Sequence, residues 1–130
     1  MTRVLLIDDD ATIRRALSSA LARAGYEVAT AEDGEPGLRL AAIAPPDLVV
    51  VDYNMPTSGL IVVRELKRRH GANVYVAVLT GSEEPWIRDA CLEAGADDVL
   101  GKPIALAELR RRLGAAATAL ALARPVPVAS

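Results

Sequence analysis

Six side chains in this sequence have the types and positions to handle a phosphoryl group. Asp8, Asp9 and Asp10 follow one apolar run, Asp52 follows another, Thr80 closes a third, and Lys102 lies just beyond a fourth. Carboxylates brought together at such ends repel one another unless a hard divalent cation neutralises them. Mg²⁺ is the natural candidate, because it takes a few carboxylate oxygens and keeps waters or phosphate oxygens as its other ligands. The Thr80 hydroxyl would donate to one oxygen of a transferring phosphoryl group, and the Lys102 ammonium would neutralise another. One carboxylate is then left as the acceptor.

Bringing these groups together requires parallel strands whose carboxyl ends share one edge. Short β-rich apolar runs at residues 4–7, 27–30, 48–51, 74–79 and, weakly, 98–100 read as those strands. Helical patterns lie between and after them, at 11–24, 35–43, 60–70, 84–94 and 106–123. In the first helix Ile13, Ala16, Leu17, Ala20, Leu21 and Ala24 line one face, while Arg14, Arg15, Ser18, Ser19 and Arg23 take the other. Gly25, Pro45, Gly71, Gly95 and Pro125 stop the five helices in turn. Strands alternating with helices imply βαβ crossovers, and continuously apolar strands imply burial on both faces. The expected architecture is an α/β, doubly wound, five-stranded parallel sheet with five helices, whose ligand crevice lies at the strand carboxyl ends.

Composition narrows the function. The 130 residues carry 15 Lys and Arg against 17 Asp and Glu, a net charge of −2, which lacks the basic footprint of a nucleic-acid binder. No polybasic run suggests attachment to anionic lipid, and no apolar run approaches the roughly 18 residues of a membrane span. No direct nucleic-acid or membrane contact is expected, nor a signal peptide. With Phe absent, the core must be aliphatic. The lone Cys91 excludes an internal disulfide and reads as a buried thiol, which suits the cytoplasm. Residues 1–123 read as one domain and residues 124–130 as a Pro-containing tail or linker.

Four stretches taken in order, RVLLIDDD, VVVDYNMP, AVLTGS and GADDVLGKP, resemble the receiver domains of two-component response regulators over essentially residues 3–123. The resemblance implies a flavodoxin-like fold like that of the chemotaxis regulators. It also implies that Asp52 accepts a phosphoryl group from a sensor histidine kinase or phosphotransfer protein. Asp9, Asp52 and the main-chain carbonyl of Asn54 would ligate Mg²⁺, with Asp8 holding it through water. Thr80 and Lys102 would serve the phosphoryl group, and the Lys102–Pro103 peptide is cis in such a turn. Such a domain is a switch and not a turnover enzyme, acting only on its own phosphorylation and dephosphorylation. Its output is a surface bound by a downstream effector domain or protein, and a homodimer through the last two helices is a further expectation.

Two departures stand out. The family commonly has an aromatic residue three places before the lysine, where this chain has Val99. The loop Met55-Pro56-Thr57-Ser58-Gly59 is one residue shorter than the common pattern and lacks its acidic residue, which predicts a reshaped loop. The resemblance points to Asn54 and Ser82 as the positions that tune phosphate lifetime.

Other residues invite plainer readings. Asp10 suits a helix N-cap, His70 a solvated cap beside Lys67, Arg68 and Arg69, and Arg110, Arg111 and Arg112 a solvated face. Trp86 falls off the apolar stripe, and packing against its own domain is preferred over a partner anchor. Two rival functions compete with phosphoacceptance. One is a receiver-like interaction module independent of phosphorylation. The other is a haloacid-dehalogenase-type phosphatase using Asp8 and Asp10, since Asp8, Asp10 and Thr12 form a DxDxT pattern.

Overall fold

The computed structural model describes residues 1–124. Five strands, β1 (Arg3–Ile7), β2 (Glu27–Ala31), β3 (Leu48–Asp52), β4 (Tyr75–Thr80) and β5 (Asp98–Gly101), pair in parallel in the order β2-β1-β3-β4-β5. Five helices alternate with them: α1 (Ala11–Arg23), α2 (Gly34–Ile43), α3 (Gly59–His70), α4 (Pro85–Ala94) and α5 (Leu106–Ala123), with a 3₁₀ turn at Gly71–Asn73. Every expected strand and helix is present, within one or two residues at each end.

The strand sequences explain the two layers of helices. Alternate side chains leave opposite faces of a sheet. Leu5, Ile7, Val49, Val51, Val76 and Val78 therefore pack on one side against Val62, Val63 and Leu66 of α3 and Ile87 and Cys91 of α4. Val4, Leu6, Leu48, Val50, Ala77 and Leu79 pack on the other side against Leu17 and Leu21 of α1 and Leu109 and Leu113 of α5. All five residues of the central β3 are buried. The expectation of burial on both faces fails for β2, where only Ala31 is buried, because β2 is an edge strand with β1 as its one neighbour.

Helix ends follow local chemistry. Asp10 caps α1, its carboxylate accepting from the Thr12 and Ile13 N–H groups at 2.9 and 3.1 Å. Gly95 ends α4 at φ 113°, a left-handed conformation in which a side chain is strained.

Several plain readings are corrected here. His70 is no solvated cap: its Nε2 is buried without a hydrogen-bond partner. Arg110 lies exposed as expected, and Arg111, exposed as well, joins Glu108 at 2.6 Å, whereas Arg112 is half-buried and pairs with Asp98 at 2.8 Å and Glu108 at 2.7 Å. Arg111 and Arg112 hold the Glu108 carboxyl down to about 2. Trp86 is 58% exposed, with its indole N–H donating to Glu84, and does not pack into its own domain. Arg124, the first residue of the expected tail, is tied to Asp47 at 2.6 Å, and the rest of that tail lies outside the described residues.

Leu66 is fully buried in the α3 face whereas Ile43 is 81% exposed. Leu66→Ala should cost about 2–5 kcal/mol in urea unfolding, and Ile43→Ala no more than about 0.5 kcal/mol. Equal losses would contradict this assignment of the core.

Candidate functional site

Parallel strands deliver their carboxyl ends to one edge, and the order β2-β1-β3 places β1 beside β3 although β2 intervenes in sequence. The chain thus leaves β1 and β3 toward opposite faces, opening a crevice between their ends. Asp8 and Asp9 follow β1, Asp52 is the last residue of β3, Thr80 is the last of β4, and Lys102 follows β5. The register carries the alignment across the sheet. Asp52 pairs with Leu79 and Thr80 with Gly101, and the Lys102 N–H donates to the Thr80 carbonyl at 2.8 Å.

The lysine and three of the carboxylates converge there. Lys102 Nζ lies 3.1 Å from Asp52 Oδ1 and 3.2 Å from Asp8 Oδ2. Asp8 and Asp52 are buried and Asp9 is exposed, yet one carboxylate oxygen from each lies within 4.8 Å of the others. The Lys102–Pro103 peptide is cis. Asp8 Oδ1 also accepts from the Asp10 N–H at 2.9 Å, which fixes the turn after β1.

Burial is the largest influence on Asp52 and pushes its carboxyl up. Lys102 and the Asn54 N–H pull it down and the Asp8 charge pushes it up again, so it stands above the ordinary aspartate value. Burial works against the Lys102 ammonium, but its bonds to Asp52 and Asp8 outweigh that and raise it. Asp52 therefore carries its charge at a cost that the lysine only partly offsets.

The oxygen donors fit a small hard cation. Three carboxylates from two adjacent strand ends offer few, closely spaced, exclusively oxygen ligands, the set that suits Mg²⁺ with its remaining positions left to water or phosphate. Thr80, also buried, accepts from the Ser82 N–H through its hydroxyl oxygen at 3.1 Å, so the hydroxyl proton is oriented away from that contact. Asn54 lies exposed in the loop two residues past Asp52.

Some positions differ from their sequence reading. Arg14, assigned to the solvent face of α1, donates from Nη1 to the Asp8 carbonyl at 2.7 Å and braces the acidic turn. Periodicity alone does not reveal this, because a long side chain reaches back over its own helix N-terminus. Asp10 is committed to capping α1, which removes it from the role a dehalogenase-type phosphatase would give it. Val99 is buried among core residues of the α3 and α4 face, and its carbonyl accepts from Arg88 at 3.1 Å.

A family profile described as response regulator receiver domain matches residues 4–114. The chain belongs to this family. Response regulator MprA of Mycolicibacterium vanbaalenii is 45% identical over 114 residues, which are 87% of this chain and 49% of that protein. Transcriptional regulatory protein PrrA of Mycobacterium tuberculosis is 46% identical over 114 residues, 87% of this chain and 48% of that protein. The chain spans about half the length of these curated relatives. Among solved structures, Vibrio cholerae chemotaxis protein CheY4 matches with a TM-score of 0.84 at 32% identity, over 89% of this chain and 98% of that one. A receiver domain protein from Clostridium thermocellum matches at 0.88 and 29%, over 95% and 100%. The receiver is thus a regulatory domain of the flavodoxin-like fold, and no helix among its described residues is long and apolar enough to cross a membrane.

Because folding raises the Asp52 carboxyl, the native state loses stability as pH rises from the unfolded aspartate pKa through the folded one. Without divalent cation, Asp52→Asn should therefore melt above the parent at pH 7, and the difference should shrink as the pH falls toward 4. Thermal melts in chelator at both pH values decide this, and a variant that melts lower at pH 7 would refute it.

Proposed function

We propose that the receiver accepts a phosphoryl group on Asp52 from the phosphohistidine of a sensor histidine kinase or phosphotransfer protein. The observation that carries this reading is the Lys102 ammonium held between Asp52 and Asp8 beside the third carboxylate of Asp9. In the transfer an Asp52 carboxylate oxygen forms the new O–P bond as the N–P bond of phosphohistidine breaks. The bonding pair returns to the imidazole nitrogen. Lys102 would shift from pairing with carboxylate to neutralising a phosphoryl oxygen, and the Thr80 hydroxyl would donate to another. Asp9, Asp52 and the Asn54 carbonyl would hold Mg²⁺, with Asp8 acting through water. The cation supplies charge neutralisation where acceptor and phosphoryl group would otherwise repel each other.

Transfer adds charge and acceptor oxygens at the buried edge of β3 and β4, and this biases a two-state equilibrium of the nearby elements. The output would be a changed surface presented to a downstream effector domain or protein, with homodimerisation through α4 and α5 as one form of it. We take residues 1–123 as the receiver, 124–130 as tail or linker, and the cytoplasm as its compartment. A BeF3-activated DrrB receiver domain matches this structure with a TM-score of 0.83 at 28% identity, which supports a phosphoryl-responsive site.

Intact mass after incubation with acetyl phosphate and Mg²⁺ tests the reading. One phosphoryl group should be gained, and chelator or Asp52→Asn should abolish the gain. Thr80→Ala should slow uptake on the order of 100-fold, the usual effect of losing one charge-stabilising donor. No uptake from acetyl phosphate or from a kinase donor would leave a phosphorylation-independent interaction module.

A further inference from the structure

The loop between β3 and α3 carries Asn54 past the acceptor position, and its two ends are held by β4 and by the start of α3. At its start the Tyr53 N–H donates to the Leu79 carbonyl at 2.8 Å. At its end Ser58 caps α3, accepting from the Leu60 N–H at 3.3 Å, and Gly59 packs so closely that a Cβ there would lie 2.7 Å from the Asp52 carbonyl oxygen. The middle is held from elsewhere. Asp33, at the start of α2, accepts from the Thr57 N–H through Oδ1 and from the Thr57 hydroxyl through Oδ2, both at 3.0 Å.

The Thr57 methyl is held as well. A Cβ added at Gly34 would come within 2.8 Å of Thr57 Cγ2, so the bare glycine leaves the space that this methyl fills. Asp33 stands at the N-cap position of α2 but makes no side-chain capping bond to that helix. Its two oxygens serve the loop instead. The shortened loop thus gains an acidic partner from a turn 24 residues away in sequence.

We propose that Asp33 is a positioning residue for the phosphoryl site, acting through Thr57 to hold the residue 53–58 loop where Asn54 faces Asp52. This rests on the phosphoacceptor reading above. Only Asn54 and Pro56 of that loop are exposed, and Met55 packs on the α3 side of the core. The loop therefore has two points of attachment between its ends, one apolar through Met55 and one polar through Asp33. Loss of the polar one frees the segment that carries a proposed metal ligand.

Mg²⁺ binding by titration calorimetry, alongside phosphoryl uptake from acetyl phosphate, tests this on the whole chain. Asp33→Ala should weaken Mg²⁺ and slow uptake by about tenfold each, as loss of a group that orients a metal ligand does. Thr57→Val keeps the methyl and removes the hydroxyl, and should show a smaller loss in both, while Thr57→Ser should stay near the parent. Asp33→Ala combined with Thr57→Val should be no worse than Asp33→Ala alone. A merely structural contact would lower the melting temperature and leave both readouts unchanged. Asp33→Ala and Thr57→Val within about twofold of the parent in Mg²⁺ affinity and rate would overturn the proposal. If Asp33→Ala fails to fold, the Thr57→Val and Thr57→Ser pair decides alone. A parent that binds Mg²⁺ but takes up no phosphoryl group defeats the acceptor reading, and the Mg²⁺ comparison still decides this one. A parent that binds no Mg²⁺ overturns both.

Discussion

The ammonium of Lys102 is shared by two buried carboxylates, Asp8 and Asp52, at the end of a sheet whose interior is valine and leucine. Water cannot solvate those charges fully there, so each carboxylate depends on the same nitrogen. With Asp9 added, the site keeps a formal excess of two negative charges, the charge that one divalent cation carries. Burial, with the Asp8 charge beside it, raises the Asp52 carboxyl, and the bonds to both carboxylates keep the lysine protonated. Chemistry at this edge then amounts to a redistribution of charge among groups that are already positioned.

Holding those groups in place is the work of the scaffold. β3 is buried along its whole length between β1 and β4, and Asp52 at its end is set by its pairing with Leu79 of β4. Helices close both faces, and further ties fasten the outlying segments. Lys67 of α3 reaches the Val74 carbonyl at 2.7 Å and the Asp97 carboxylate at 2.6 Å, joining α3 to the turns before β4 and β5. Asp97 in turn accepts from the Val76 N–H at 2.8 Å. Such part-buried pairs are braced by main-chain bonds, unlike the exposed helix pairs of Glu35 with Arg39 or Glu65 with Arg69.

The departures from the common pattern leave the chemical groups intact and change what surrounds them. Val99 occupies the usual aromatic position and is packed beside Ile87 and Cys91, so it lacks a ring that could alternate between buried and exposed places. The exposed aromatic of this region is Trp86, at the start of α4. The shortened loop closes by using Ser58 as a helix cap and Gly59 as a close-packing point against the Asp52 carbonyl.

The sequence by itself determined the element order, the two-sided core and the identity of the clustered polar groups. Period and spacing are local properties, so residues 48–51 and 60–70 declare themselves as strand and helix without knowledge of their neighbours. Asp10 as a cap and Cys91 as a buried thiol were legible for the same reason. Contacts between distant segments were decided only by the tertiary structure. Arg14 on the Asp8 carbonyl depends on where a long side chain folds back, Arg124 on Asp47 spans 77 residues, and Asp33 on Thr57 requires α2 to lie beside the β3–α3 loop. The edge position of β2 and the burial of His70 Nε2 belong with them. Each is fixed by which elements become neighbours, and a side chain meets its partner only after the sheet has set that order.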